Sequence, residues 1–187
     1  MRVIAGSAKG RTLDAPRGTG TRPATDRIRE SLFGILEPVI ADARALDLFA
    51  GAGTLGIEAL SRGAARVTFV ERSAPALDVL RKNVAAIGFG ERSEVVAANV
   101  LSFVRESATG PYDLVFCDPP FADVSVLEAT LSEPKLKRAL APDALVVARV
   151  LKKHPPALPP TARLVRTKEI GEETLLFLKY DDAAAGG

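Results

Sequence analysis

One cysteine, Cys117, and one histidine, His154, are all the chain of 187 residues has of either type. A single thiol closes no internal disulfide, which fits a reducing compartment such as the cytoplasm. Cys117 falls inside an apolar run and reads as a small buried hydrophobe. His154 stands alone in Lys152-Lys153-His154-Pro155-Pro156 and reads as a loop residue, so the Cys/His clusters of metal sites are missing and no metal is expected. No apolar run is long enough to cross a bilayer, so no membrane partner is expected. The charged start, Met1 to Ser7, lacks a following apolar core, so it is not expected to act as a signal peptide. Internal repeats are also missing.

What is there describes an ordinary globular domain. Hydrophobic residues make up 47% and charged residues 26%, and a domain near this size buries roughly 70% of its unfolded surface. The length fits one domain and permits a monomer. Net charge is only +2, but it is unevenly placed. Residues 1–30 hold seven basic side chains (Arg2, Lys9, Arg11, Arg17, Arg22, Arg27 and Arg29) against Asp14, Asp26 and Glu30, a local net of +4 that leaves the rest at −2. A clustered basic surface attracts a phosphate backbone; a merely solvated basic N-terminus is the plainer alternative.

The most informative segment is Asp118-Pro119-Pro120-Phe121, directly after the strand-like run Tyr112-Asp113-Leu114-Val115-Phe116-Cys117. Proline fixes φ and removes a backbone donor, so the loop is stiff and presents carbonyls as acceptors. The Asp118 carboxylate and the Pro119 carbonyl suit the two protons of one exocyclic NH2, and Phe121 offers a stacking face to the ring bearing it. A simple strand-ending turn is the alternative reading.

Upstream, Leu46-Asp47-Leu48-Phe49-Ala50-Gly51-Ala52-Gly53-Thr54-Leu55-Gly56 carries a short strand into a glycine turn and a helix. Gly51 is expected to permit the tight turn, Gly53 to let a ligand approach, and Gly56 to let helix and strand pack closely. Glu71 ends the next strand, where an acid holds a ribose diol. Enzymes of NAD and of S-adenosylmethionine share this geometry, so these residues specify a nucleoside ligand without naming it. In a doubly wound sheet the glycine turn, Glu71 and Asp118 all fall on the edge formed by the strands' carboxyl ends. A nucleoside cofactor beside an amine-gripping loop is the arrangement for methyl transfer to nitrogen.

The pattern predicts α/β architecture. A small hairpin is expected over Arg2–Leu13, turning near Ala8-Lys9-Gly10, then a Gly/Pro/Thr-rich loop over Pro16–Pro23. Asp26 is expected to cap a helix whose apolar face is Ile28, Leu32, Ile35, Leu36 and Val39. Strands are expected near 44–49, 65–70, 93–97, 112–117 and 143–150. Helices are expected near 54–62, 74–87 and 124–139, with a short turn near 99–105. Arg163–Glu169 and Thr174–Tyr180 predict a closing hairpin. The domain plan is residues 1–24 as an RNA-facing hairpin and basic loop, 25–180 as the main domain, and 181–187 as a disordered tail.

With these motifs in order, the chain resembles the bacterial small-subunit (16S) ribosomal RNA guanine-N2 methyltransferase family, from Arg2 to about Tyr180. The most specific elements are Arg22-Pro23-Ala24-Thr25-Asp26-Arg27-Ile28-Arg29-Glu30 together with Asp118-Pro119-Pro120-Phe121. The resemblance implies a doubly wound, Rossmann-like class I methyltransferase sheet, mostly parallel with an antiparallel last strand. It implies S-adenosylmethionine as cofactor, with Gly51 and Gly53 against its methionine part, Asp47 near its amino group, Glu71 on the ribose and Asn99 near the adenine amine. Asp118 and Pro119 would grip the guanine amine, Phe121 would stack on the base, and Arg22, Thr25, Arg27 and Arg29 would form the RNA-facing block, a mainly structural role at the helix start being the alternative for Arg29 and Glu30. The implied partner is 16S ribosomal RNA, within the assembling small subunit.

The chain departs from the family pattern at three places. Asn99 stands where Asp is commoner, Arg149-Val150 where many relatives have an acid, and Gly171-Glu172-Glu173-Thr174 where the final turn is usually Gly-Asp-Thr. Competing readings are transfer to adenine N6 or to a glutamine amide, a nicotinamide oxidoreductase, and an RNA-binding assembly factor that keeps the fold as scaffold.

Overall fold

The computed structural model describes residues 1–16, 24–120 and 123–181. The expected loop from Arg17 through Pro23, the aromatic Phe121 and the tail after Asp181 lie outside the described residues. Seven strands form one sheet: β1 (Arg44–Leu48), β2 (Arg66–Glu71), β3 (Ser93–Ala97), β4 (Tyr112–Cys117), β5 (Leu140–Leu151), β6 (Ala162–Ile170) and β7 (Glu173–Tyr180). Their order is β3-β2-β1-β4-β5-β7-β6. All neighbouring pairs are parallel except those made by β7, which is antiparallel to both β5 and β6.

The chain winds outward from β1 to β3, then returns to lay β4 on the other side of β1. Leu48 pairs with Cys117 at the carboxyl ends of those two strands, so the topological switch point lies where they finish. β1 and β4 are almost continuously buried, as expected of parallel strands covered on both faces.

Helices α1 (Asp26–Ile40), α2 (Thr54–Ser61) and α3 (Ala74–Ile87) cover one face. Their buried side chains, among them Leu32, Phe33, Ile57 and Leu80, join one apolar cluster. The opposite face carries α4 (Val100–Glu106), α5 (Val124–Leu131) and α6 (Pro134–Arg138), whose Phe103, Leu127 and Leu136 join a second cluster.

Four expectations are corrected in detail. Thr25, not Asp26, caps α1, its hydroxyl accepting the Ile28 N–H at 3.3 Å. The buried stripe of α1 runs through Arg29, Phe33, Leu36 and Ile40, so Val39 at the helix end is 50% exposed. The helix expected over 124–139 is two helices, because Pro134 drives Glu133 into extended backbone at ψ 118° and restarts the helix there. β5 also starts earlier than expected; its register against β4 shifts between Tyr112 and Leu114, and Asp143 takes φ 63°.

The N-terminal segment makes a minimal hairpin with one bridge, Arg2 to Thr12. It is fastened to α2 rather than projecting from it. The Ile4 and Ala5 N–H groups donate to the two oxygens of Glu58 at 2.8 and 3.0 Å, and Ser7 and Ala8 donate to Ser61. Val3, Ala8 and Leu13 are buried in the α1–α3 cluster.

Candidate active site

Four chain segments deliver polar groups to the sheet edge at the switch point. Asp47, one residue before the end of β1, is 1% exposed. Its Oδ2 accepts the Gly56 N–H at 2.9 Å, tying the strand to the first turn of α2. Burial pushes its carboxyl up to about 8, the Gly56 N–H opposing and the charges of Asp118 and Glu71 adding to the rise.

Two of the glycines between β1 and α2 are required by geometry. Gly53 has φ 82°, and a Cβ there would sit 2.3 Å from Leu80. At Gly56 a Cβ would sit 2.2 Å from the Phe69 ring, so the close helix–strand packing rests on it. Gly51, at φ 55°, has open space where its Cβ would be. An added side chain would thus meet open space at Gly51 and packed side chains at Gly53.

Glu71 is bound to the same turn. Its Oε2 accepts the Gly51 N–H at 2.8 Å, and its Oε1 accepts those of Arg72 and Ser73 at 2.8 and 2.7 Å. Asn99 is exposed and caps α4, its Oδ1 accepting the Leu101 and Ser102 N–H groups at 2.9 and 3.4 Å. With that oxygen committed to the helix, Asn99 turns an amide donor outward, where Asp would offer a second acceptor.

Asp118 follows β4 immediately and keeps 14% of its side chain exposed. Its Oδ1 accepts from Arg149 Nε at 2.6 Å, and Arg149 Nη1 donates to Glu173 Oε2 at 2.8 Å. Burial pushes the Asp118 carboxyl up, the Arg149 guanidinium pulls against it, and the charge of Glu173 adds to the rise. Burial also pushes the neighbouring Cys117 thiol far up, which removes it as a nucleophile.

A cavity of about 10 Å³, room for one water, has Asp118 in its lining. Ala24 and Ile28 line it together with Leu55, Val147, Asp118 and Arg149. The head of α1, part of the Arg22–Glu30 block, therefore shares this cavity with Asp118.

The basic residues expected to face RNA divide. Arg2, Lys9, Thr25 and Arg27 are exposed, Arg2 pairing with Asp26 at 3.4 Å. Arg11 is exposed, and its Nη2 donates to the Ala86 carbonyl at 2.5 Å. Arg22 lies outside the described residues. Arg29 is a correction: it is 0% exposed, its Nη2 donating to Asp26 at 2.7 Å and to the Arg2 carbonyl at 2.8 Å. A side chain enclosed in this way holds the N-terminal segment to α1 and is not available to a phosphate.

Sequence reasoning noticed Arg149 and Glu173 only as departures and assigned no role to Glu58. The available signal was a lone arginine in the apolar run Leu145–Val150, where a buried charge requires a partner. Among the described residues no group of His, Cys, Asp and Glu could hold a metal ion.

The residues present suit S-adenosylmethionine: buried Asp47 matches a cationic amine, Glu71 offers acceptors to hydroxyls, and the turn is open at Gly51. With β7 inserted between β5 and β6, these features define a class I methyltransferase domain. The family model described as conserved hypothetical protein 95 matches residues 1–179. Ribosomal RNA small subunit methyltransferase D of Escherichia coli is 42% identical over 187 residues, which is 100% of this chain and 92% of that protein. The chain belongs to this ribosomal RNA small subunit methyltransferase D family. The Haemophilus influenzae member is 37% identical, over 91% of this chain and 89% of its own. The solved structure of Escherichia coli yhhF superposes with a TM-score of 0.85 at 36% identity, covering 98% of this chain and 99% of that one.

Proposed function

We propose that the chain transfers a methyl group from S-adenosylmethionine to the exocyclic N2 amine of one guanine in small-subunit ribosomal RNA. The observation that carries this reading is the position of Asp118. It closes β4 beside the strand that bears Asp47, and it shares a cavity with Ala24 and Ile28 at the head of α1. Relatives over the full chain length carry the name of small-subunit ribosomal RNA methyltransferases, which supports the substrate class.

In this reading Asp47 holds the cofactor's cationic amine, Glu71 its ribose, and the turn through Gly51 and Gly53 its methionine part; when bound, the cofactor supplies an electrophilic methyl group. Asp118 and the Pro119 carbonyl accept the two N2 protons and turn the nitrogen lone pair out of conjugation. Most of the acceleration would come from holding that nitrogen in line with the methyl group the cofactor would supply. Asp118 stabilises the positive charge that develops on nitrogen, and the proton then leaves to water. The base must leave its stack, at a cost of a few kcal/mol. Stacking on Phe121 offsets about 1–3 kcal/mol of that.

The exposed Arg2, Lys9, Arg11 and Arg27 supply phosphate contacts, with Arg22 and Thr25 completing an RNA-facing front over residues 1–24 and the start of α1. The partner is the assembling small subunit in the cytoplasm, met by a monomer.

The test is methyl transfer from labelled S-adenosylmethionine to small subunits lacking their natural methylations, mapped by mass spectrometry. Label as N2-methylguanine at one position, lost in Asp118→Ala while cofactor binding survives, is expected. Label on adenine or on protein, or equal turnover by the variant, would overturn the assignment.

A further inference from the structure

We propose that Arg149 and Glu173 are positioning residues for Asp118, dividing its two oxygens and setting the charge of the site; this rests on the catalytic reading of Asp118 above. Arg149 sits in β5 and Glu173 opens β7, so the antiparallel insertion of β7 beside β5 brings the two side chains to the end of β4. The contact is a chain of two short charge-assisted bonds, Asp118 Oδ1 to Arg149 Nε at 2.6 Å and Arg149 Nη1 to Glu173 Oε2 at 2.8 Å. All three side chains are nearly enclosed, at 14%, 7% and 13% exposure.

Two consequences follow from that geometry. First, Arg149 occupies Oδ1 and fixes the plane of the carboxylate, so that Oδ2 is the oxygen assigned to the substrate amine. The substrate amine then meets one oriented acceptor rather than a rotating carboxylate. Second, one guanidinium between two carboxylates leaves the cluster with a net charge of −1. A cation developing on the substrate nitrogen is met by that surplus. Glu173 thereby prevents Arg149 from cancelling the charge of Asp118.

Arg149 from β5 and Glu173 from β7 act on Asp118, whose own charge acts in turn on Asp47 of β1 and Cys117 of β4. Of these only Arg149 favours the ionised carboxylate; Glu173 disfavours it. The two variants therefore move Asp118 in opposite directions. Without Arg149 the carboxyl stays protonated to higher pH, and without the charge of Glu173 it ionises at lower pH.

The experiment measures single-turnover methyl transfer against pH for the full chain, with the Asp118 side-chain carboxyl followed by NMR in the cofactor-free protein. Arg149→Met is expected to lose at least about tenfold in rate at neutral pH and to recover as pH rises, its carboxyl midpoint displaced upward. Glu173→Gln, which keeps a hydrogen-bond acceptor for Arg149, is expected to displace the midpoint downward. Arg149→Lys, which keeps the charge, is expected to restore the midpoint but only part of the rate. Midpoints unmoved in both Arg149→Met and Glu173→Gln, or losses uniform across pH, would overturn the proposal. Asp118→Asn separates the two levels. Full turnover by it defeats the catalytic reading itself, whereas an inactive Asp118→Asn with unmoved midpoints defeats only the role of Arg149 and Glu173.

Discussion

Arg29 of α1 and Glu58 of α2 meet inside the protein, Nη1 to Oε2 at 3.6 Å, with neither side chain exposed. Glu58 also receives Arg62 Nε at 2.7 Å and the backbone N–H groups of Ile4 and Ala5. One carboxylate thus joins the N-terminal segment, the head of α1 and the helix that follows the glycine turn.

Removing either member of that pair leaves a buried charge with only part of its compensation, Asp26 for Arg29 or Arg62 for Glu58. Glu58→Ala and Arg29→Met are each expected to cost about 3–5 kcal/mol in urea unfolding. Amide exchange at Ile4 and Ala5 is expected to accelerate in Glu58→Ala beyond what global unfolding explains. Unchanged midpoints in both variants would contradict the ion pair.

Asp47 gives the fold a pH dependence of its own. Its folded carboxyl, at about 8, is raised above the ordinary value of 3.8, so the native state holds a proton that the unfolded chain releases. The stability this contributes is fully present below 3.8 and is lost as pH rises through about 8. A single such group changes stability by at most about 1.4 kcal/mol per pH unit. Unfolding midpoints taken from pH 5 to 9 are expected to fall less steeply in Asp47→Asn than in the wild type.

Gly51 and Gly56 are expected to fail in different ways. Gly56→Ala drives a methyl into the fully buried Phe69 ring and is expected to cost about 1–3 kcal/mol of stability. Gly51→Ala meets no atom, so its strain is limited to the positive φ, about 1–2 kcal/mol. Its larger effect is expected on cofactor affinity, measured by calorimetric titration. Undiminished affinity in Gly51→Ala would remove the turn from the cofactor site.

Arg27 is exposed and Arg29 is not, two residues apart on one helix. Arg27→Ala is expected to weaken RNA binding evenly across sequences and to lower the salt slope by about 1, with stability unchanged. A slope equal to wild type would return Arg27 to an ordinary solvated role.

The glycine turn, the end of β4 before Asp118, the alternation of strands and helices and the closing hairpin were all legible in the sequence. Each depends on residues within a few positions of one another, and each follows from backbone restriction or apolar periodicity. The helix boundaries were less legible, since the break before Pro134 and the shift of the cap to Thr25 turn on single residues inside otherwise helical patterns.

The amino-acid order by itself determined which local elements form and which of them end in polar groups at the carboxyl edge of the sheet. Only the tertiary structure decided what the charges do. Arg29 and Glu58 come from different helices, and Asp118, Arg149 and Glu173 from three different strands or their ends, with 31 and 24 positions between the bonded partners of the latter chain. A charged side chain read one at a time is a solvated one, because water is its default partner. Folding replaced that water with opposite charge at these sites, and the replacement depends on distances that exist only once the sheet has closed.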